Sequence, residues 1–285
     1  MALYFTDPKD PADPTTPAVR VGLGGEGILR TQGRDGEALA VIEEAWNQGI
    51  RYFDCARAYA GSESYYGLFW ERHPERRAMA FQAGKSAMRT RAEAFQDLET
   101  TLKNMHTERL DLWQIHDVRT MDECRTIEGS GGALEAFLKA KASGRVGAIG
   151  VTGHHDPRVL THAVENWPLD AVMMPVNPVE AVIGGFLDET LEAARRRNLA
   201  VIGMKVLGAG EYLSESAGVT PETLIRFALS QPVTVAVVGC STPAHVRTLA
   251  ASGKNSPPLR ETETSRLLQT FRPYARRLAF YRGAF

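Results

Sequence analysis

Eight short runs of apolar and β-branched residues punctuate the chain: Val19 to Leu23, Ile50 to Phe53, Met79 to Ala83, Leu110 to Ile115, Val146 to Val151, Ala171 to Val176, Ala200 to Val206 and Val233 to Val238. They are nearly continuous in hydrophobicity rather than alternating, the pattern of strands covered on both faces. Between them apolar residues recur at spacings of three and four. Ala38, Val41, Ile42, Ala45 and Trp46 make one such stripe, Ala94, Leu98, Thr101, Leu102 and Met105 a second, and Leu134, Phe137, Leu138 and Lys141 a third. These predict amphipathic helices. Thr220-Pro221-Glu222, Thr242-Pro243 and Asp156-Pro157 are helix starts, with proline at the first helical position. Gly49 and Gly144 are stops placed directly before strands.

The strands end near Gly24, Asp54, Lys85, His116, Gly153, Asn177, Val206 and Gly239, a mean step of about 31 residues per strand-plus-helix unit. Eight such units predict an α/β fold of the (β/α)8 TIM-barrel type in preference to an open doubly wound sheet with the same alternation. The expected organisation is one barrel domain over residues 1–285, with a proline-rich lead-in at 1–18 and a helical C-terminal tail at 260–285.

Composition removes several functional classes. The 33 Lys and Arg against 34 Asp and Glu give a net charge of -1, so no dense basic face is available for a polyanion, and nucleic acid is not an expected partner. Cys55, Cys124 and Cys240 are few and widely spaced, which fits reduced thiols and neither a disulfide framework nor a metal cluster. The sequence holds no signal-peptide apolar core and no run of about 20 apolar residues. A cytoplasmic protein without membrane partners, monomeric or a small homo-oligomer, is the expectation.

In a barrel of this kind the chemistry sits where strands end, at the C-terminal mouth. Asp54, Lys85 and His116 end three consecutive strand runs, and Tyr59 lies five residues beyond Asp54. Singly, the Asp reads as a cap, the Lys as a solvated tip and the His as a structural residue. Together they suggest a chemistry, because a lysine behind an apolar strand needs a partner and Asp54 can supply it. A phenol with its usual pKa of about 10 is a poor proton donor at neutral pH, and an adjacent ammonium lowers that value by about one to three units. On this reading Tyr59 becomes a general acid, Asp54 orients Lys85, and His116 donates a hydrogen bond to a carbonyl oxygen as charge develops on it. Such a site polarises a carbonyl and needs a separate hydride donor, the service a nicotinamide cofactor provides.

At these residues the chain resembles the aldo-keto reductase superfamily. Asp54-Cys55-Ala56-Arg57-Ala58-Tyr59, followed by Gly61-Ser62-Glu63 and Gly67, is similar to that family's Asp-Thr-Ala-x-x-Tyr segment with its Gly-x-Ser-Glu tail. Gly84-Lys85 matches its strand-3 lysine, Asp111-Leu112 through His116 its strand-4 histidine, and Gly144-Arg145-Val146 through Gly150-Val151 its approach to strand 5. The resemblance implies a barrel that binds NADPH and reduces aldehydes or ketones, with Tyr59 as acid, Lys85 and Asp54 tuning it and His116 orienting the substrate. It also implies cofactor contacts from Gly24, from Thr152 after strand 5, and from Asn177 after strand 6, with His154 as another substitute for a missing family Asn at Gly153. Leu207, Gly208 and Gly210 after strand 7 would meet the pyrophosphate, and Gly239, Ser241, Thr242 and His245 would lie at the helix start after strand 8, while Lys205 at the end of strand 7 reads either as a contact to cofactor or substrate or as the neutraliser of a carboxylate beneath a loop. The last segment lacks the Lys or Arg that many members set against a 2′-phosphate, so NADP is the expected cofactor and NAD stays open.

Other readings remain. Gly22-Leu23-Gly24-Gly25-Glu26-Gly27 satisfies Gly-x-Gly-x-x-Gly, but Gly33 and Gly36 delay any helix to about residue 36 and no acid lies at the required spacing, so a Rossmann site is disfavoured and the stretch is read as the floor of the mouth. His154-His155-Asp156 with His116-Asp117 is not a known ligand pattern, and no metal is expected. A nucleotide-binding barrel without turnover, serving as a regulatory or scaffold subunit, and a metal-dependent hydrolase or lyase are the competing functions. On the substrate side the bulky candidates are Tyr4, Phe5, Leu29, Arg57, Tyr65, Tyr66, Phe271, Tyr274, Phe280, Tyr281 and Phe285. Arg272, Arg276, Arg277 and Arg282 of the tail read as a solvated face, with an anionic substrate as the alternative.

Overall fold

A computed structural model describes residues 19–283 apart from Ser256. The proline-rich lead-in, with Tyr4 and Phe5, and the terminal Phe285 lie outside the described residues. Eight parallel strands close into a barrel in sequence order: β1 (Val21–Gly27), β2 (Tyr52–Asp54), β3 (Phe81–Ser86), β4 (Leu110–Ile115), β5 (Val146–Thr152), β6 (Ala171–Pro175), β7 (Ala200–Met204) and β8 (Val235–Cys240). β8 pairs back onto β1, with Gly22 opposite Val237 and Leu23 opposite Val238. The alternation of strand and helix is the (β/α)8 TIM barrel that the hydrophobic pattern predicts.

The apolar runs mark the strands to within a few residues, and the largest difference is at β1. The strand does not stop before the glycine stretch but runs through it to Gly27, with a register shift against β8 between Gly24 and Gly27. The glycines are strand residues because their neighbours leave no room for a side chain. A Cβ at Gly22 would lie 2.6 Å from Tyr52 Cδ1, and one at Gly24 would lie 2.9 Å from the Gly239 amide nitrogen. These close approaches shape the mouth at the β1–β8 seam.

Strand parity sorts the side chains into two cores. Tyr52, Ala83, Leu112, Ala148, Met173, Ile202, Val235 and Val237 fill the barrel interior, while residues such as Phe53, Trp113, Ile149 and Val201 pack outward under the helices. The first two predicted helical stripes are the buried faces of helices Asp35–Asn47 and Arg91–Asn104, whereas helix Ala133–Ala142 buries Ala133, Ala136, Phe137 and Ala140 and leaves Leu138 of the predicted stripe exposed. Start and stop signals act as read. Thr220 and Asp156 accept hydrogen bonds from the Thr223 and Arg158 amides, and Gly49 and Gly144 take φ of 84° and 77°.

The tail contains helices Glu261–Phe271 and Ala275–Leu278 and then turns down against the β6 side of the mouth. Its anchor is polar. Arg282 pairs with Glu180, which is fully buried, and the Tyr281 hydroxyl donates to Glu180 Oε1 at 2.7 Å. Among the described residues no helix is long and apolar enough to cross a membrane.

Candidate functional site

The ends of β2, β3 and β4 bring Asp54, Lys85 and His116 to one side of the mouth, and the loop after β2 folds Tyr59 over them. Lys85 Nζ donates to Asp54 Oδ2 at 2.6 Å and to the Cys55 carbonyl at 2.8 Å, with both charged side chains almost wholly buried. Burial works against the ammonium, but Asp54, and after it Tyr59, outweigh that cost and hold Lys85 above its ordinary value. Burial also pushes the Asp54 carboxyl upward while Lys85 pulls it down. The short contact, with a carbonyl taking a second ammonium proton, is the geometry of an ion pair.

Lys85 Nζ lies 5.1 Å from the centroid of the Tyr59 ring, and the His116 ring meets that ring edge-on at 5.6 Å. Tyr59, Lys85, Asp54 and His116 therefore form one constellation. Among the described residues the Tyr59 hydroxyl makes no hydrogen bond, which leaves it available to a ligand oxygen. His116 is pushed down to about 3, first by burial and then by the Lys85 charge, so it is a neutral imidazole at physiological pH.

The structure corrects one expectation here. Tyr59 is not made more acidic but is pushed up to about 12. Burial is the largest effect, Lys85 opposes it, and the Asp54 carboxylate in turn acts against Lys85. A lysine tied to a carboxylate at 2.6 Å presents a dipole to the phenol rather than a bare cation.

Beside the tetrad a cleft of about 480 Å³ opens between the ends of β1, β7 and β8. Asp54 and Tyr59 form part of its wall, together with Gly24, Lys205, Leu207, Gly208, Gly210, Gly239, Ser241 and His245 from the sequence-derived cofactor set. Thr152, Asn177 and Thr242 from that set do not line it, because their side chains are already engaged. The Thr152 hydroxyl accepts from the Asp117 amide at 2.8 Å. Asn177 caps helix Pro178–Ile183 through the Glu180 amide and donates to Tyr281 Oη and to the Lys205 carbonyl. Thr242 accepts from the His245 amide at the start of helix Pro243–Asn255. His154 is held too, with Nε2 at 3.2 Å from Asp117 Oδ1 and Nδ1 at 3.2 Å from the Tyr281 carbonyl. Among the described residues no group of three or more His, Cys, Asp or Glu is placed to hold a metal ion.

Lys205 sits at φ 55°, a left-handed conformation that costs a non-glycine residue roughly 1 kcal/mol or more. Its ammonium lies 6.0 Å from the Tyr281 ring and has neither hydrogen bond nor ion pair among the described residues. Burial draws Lys205 below its ordinary value, with Glu26 and Asp117 opposing. The loop that follows is turned by Gly208, Ala209 and Gly210, all at positive φ, and a Cβ on Gly208 would strike the Tyr212 ring.

Gly25 and Glu26, from the stretch read as the floor of the mouth, line the cleft, and so do Arg30, Met173 and Met204, which the sequence reading did not assign to the site. Gly25 lets β1 approach Tyr59, since a Cβ there would lie 2.8 Å from Tyr59 Cδ2. Arg30 pairs with Glu26 at 2.9 Å and covers the Tyr59 ring with its guanidinium 5.3 Å from the centroid. Inward strand parity marks Met173 and Met204, each two residues beyond an interior residue. Nothing local in the sequence marks Arg30, which reaches Tyr59 only because β1 and β2 are neighbours.

The profile of the Aldo/keto reductase family matches residues 20–217. A D-threo-aldose 1-dehydrogenase from a Pseudomonas species is 28% identical over 188 residues, an alignment covering 55% of this chain and 56% of that protein. The match thus spans little more than half the length of that relative. Among solved structures, an aldo-keto reductase from Klebsiella pneumoniae in complex with NADPH superposes with a TM-score of 0.71 at 18% identity, over 89% of this chain and 91% of its own. The holo form of an aldo-keto reductase from Bacillus halodurans gives 0.72 at 18% identity, over 88% and 91%. These two likenesses speak to the fold. The profile match, which covers more than half of the chain and includes the tetrad, establishes that it belongs to the aldo/keto reductase family.

Proposed function

We propose that the protein is a nicotinamide-dependent oxidoreductase that reduces the carbonyl group of an aldehyde or ketone, with NADPH as its cofactor and NADH as the possible substitute. The observation that carries the reading is the buried Lys85–Asp54 pair set beneath Tyr59 and beside a neutral His116, at the edge of a glycine-lined cleft.

The cleft suits a dinucleotide. Gly210 has nothing within 4 Å of where a Cβ would stand, and Lys205, with neither hydrogen bond nor ion pair among the described residues, offers its ammonium to a pyrophosphate. Leu207, Gly208 and Gly210 would flank that group, with Ser241 and His245 toward the nucleoside end. A reduced nicotinamide bound there supplies a hydride to the carbonyl carbon. Tyr59, protonated at neutral pH, donates its proton to the carbonyl oxygen, and neutral His116 donates a second hydrogen bond to the same atom. Lys85 then stabilises the phenolate that Tyr59 has become until solvent reprotonates it.

The test is turnover. Purified protein with NADPH or NADH and a panel of aldehydes should consume the reduced nucleotide. Tyr59→Phe should lower kcat by roughly 100-fold to 10,000-fold, the range for removing a general acid, while nucleotide affinity is kept. Nucleotide binding without consumption across the panel would refute the assignment.

A further inference from the structure

We propose that a second, arginine-lined groove at the rim of the barrel receives an acid group of the substrate, so that the preferred substrates are carbonyl compounds carrying a carboxylate or a phosphate. The inference rests on the reductase reading above. The groove, about 1000 Å³, is larger than the cleft and shares no residue with it. It opens between the loops after β4, β5 and β6 and the tail, and five arginines contribute to its walls: Arg119, Arg158, Arg272, Arg276 and Arg282.

The five guanidiniums differ in their partners. Arg119, Arg158 and Arg282 each hold a carboxylate, from Asp117, Asp156 and Glu180 respectively. Arg272 and Arg276 are exposed and, among the described residues, hold none. Against these two guanidiniums the lining sets one further acid, Glu189, whose charge already acts on Arg158. Asp188, bonded to the Gly185 amide, is a further acid at this wall, so the feature that distinguishes the groove is two exposed guanidiniums without a carboxylate partner among the described residues.

The place is within reach of the tetrad. Arg119 follows His116 by three residues, a span of at most about 11 Å between backbones. Arg119 is bonded to Asp117, the residue that follows His116, and Asp117 lies 3.2 Å from His154 Nε2. A substrate whose carbonyl meets Tyr59 and His116 would have to span a distance of the order of that backbone separation to set an acid group beside Arg119. Guanidinium forks suit carboxylate and phosphate oxygens alike.

The experiment compares matched aldehydes with the intact protein and its cofactor: 4-carboxybenzaldehyde against methyl 4-formylbenzoate for the carboxylate arm, and glyceraldehyde 3-phosphate against glyceraldehyde for the phosphate arm. The acid member of at least one pair should have kcat/KM about tenfold higher or more, and the arm that responds identifies the acid group. The doubly substituted Arg272→Glu/Arg276→Glu protein should lose that preference through KM. Arg277→Glu, on the same tail but outside the groove, should keep it. Calorimetric binding of 4-(hydroxymethyl)benzoate or glycerol 3-phosphate should weaken in parallel in the double variant. Equal turnover of acid and neutral members, or an equal effect of Arg277→Glu, overturns the inference and leaves the reductase standing. Groove-dependent binding of the acids without turnover of any aldehyde refutes the reductase instead.

Discussion

At the scale of single residues the behaviour of the site depends on two opposed titrations. Tyr59 stays protonated until the pH approaches about 12, and His116 stays neutral down to about 3. A reaction that needs a protonated phenol loses activity only as pH rises through the phenol's value, and one that needs a neutral imidazole loses it only as pH falls through the imidazole's. The kcat for carbonyl reduction should therefore be flat between about pH 6 and 9, read from a pH–rate profile at saturating substrate. A phenol brought down to about 7 to 9 by a free ammonium would give a rate falling across that window, which would count against the burial described here. Asp54, Lys85 and His116 were legible in the sequence from their position at strand ends, and Tyr59 from its place in the loop that follows the first of them. The direction of the Tyr59 shift was not, because it is set by how much water the fold removes and by how closely Asp54 ties up Lys85. Thr152 and Asn177 teach the same lesson, since their residue types suit a ligand and their actual partners lie in the loops after β4 and β7, the helix after β6 and the tail.

At the scale of elements, the loop that carries Tyr59 is braced from both sides. Arg57 Nη1 donates to Glu63 Oε2 at 2.6 Å, its amide donates to the Lys85 carbonyl, and its guanidinium faces Asp97. Glu63 is almost fully buried and also accepts from Thr101 Oγ1 at 2.7 Å and from Asn104 Nδ2 at 2.9 Å, tying helix Ser62–Arg72 to helix Arg91–Asn104. Glu63→Ala breaks a buried charged network and should cost about 3 kcal/mol in urea unfolding, with a fall in kcat as Tyr59 loses its register. Gly67→Ala should destabilise the same helix pair, because its Cβ would collide with the Asn104 carbonyl. The elements themselves were readable because β-branched runs and helical stripes have different periods. β1 was the exception, since its glycines carry no hydrophobic signal and are specified by Tyr52 and Gly239 across the sheet.

At the scale of the whole molecule, strand order closes the barrel while the tail completes its mouth. Glu180 is buried and is compensated by Arg282 and Tyr281, 102 and 101 positions away in sequence. Arg282→Ala leaves that carboxylate with no cation and should lower stability by about 3 to 5 kcal/mol in chemical denaturation, an effect that Glu180→Gln in the same chain should reduce. The number of strands and the location of the mouth followed from the sequence, and the tail contact did not, because no local pattern connects a glutamate after β6 with an arginine near the C-terminus. One consequence is practical. The Gly283 amide donates to the His155 carbonyl at 3.1 Å, and a Cβ at Gly283 would press on the His155 ring, which fixes where the backbone leaves the barrel. Gly283 itself lines the arginine groove, so an acidic peptide anchored close to it would compete with small acids for the same guanidiniums.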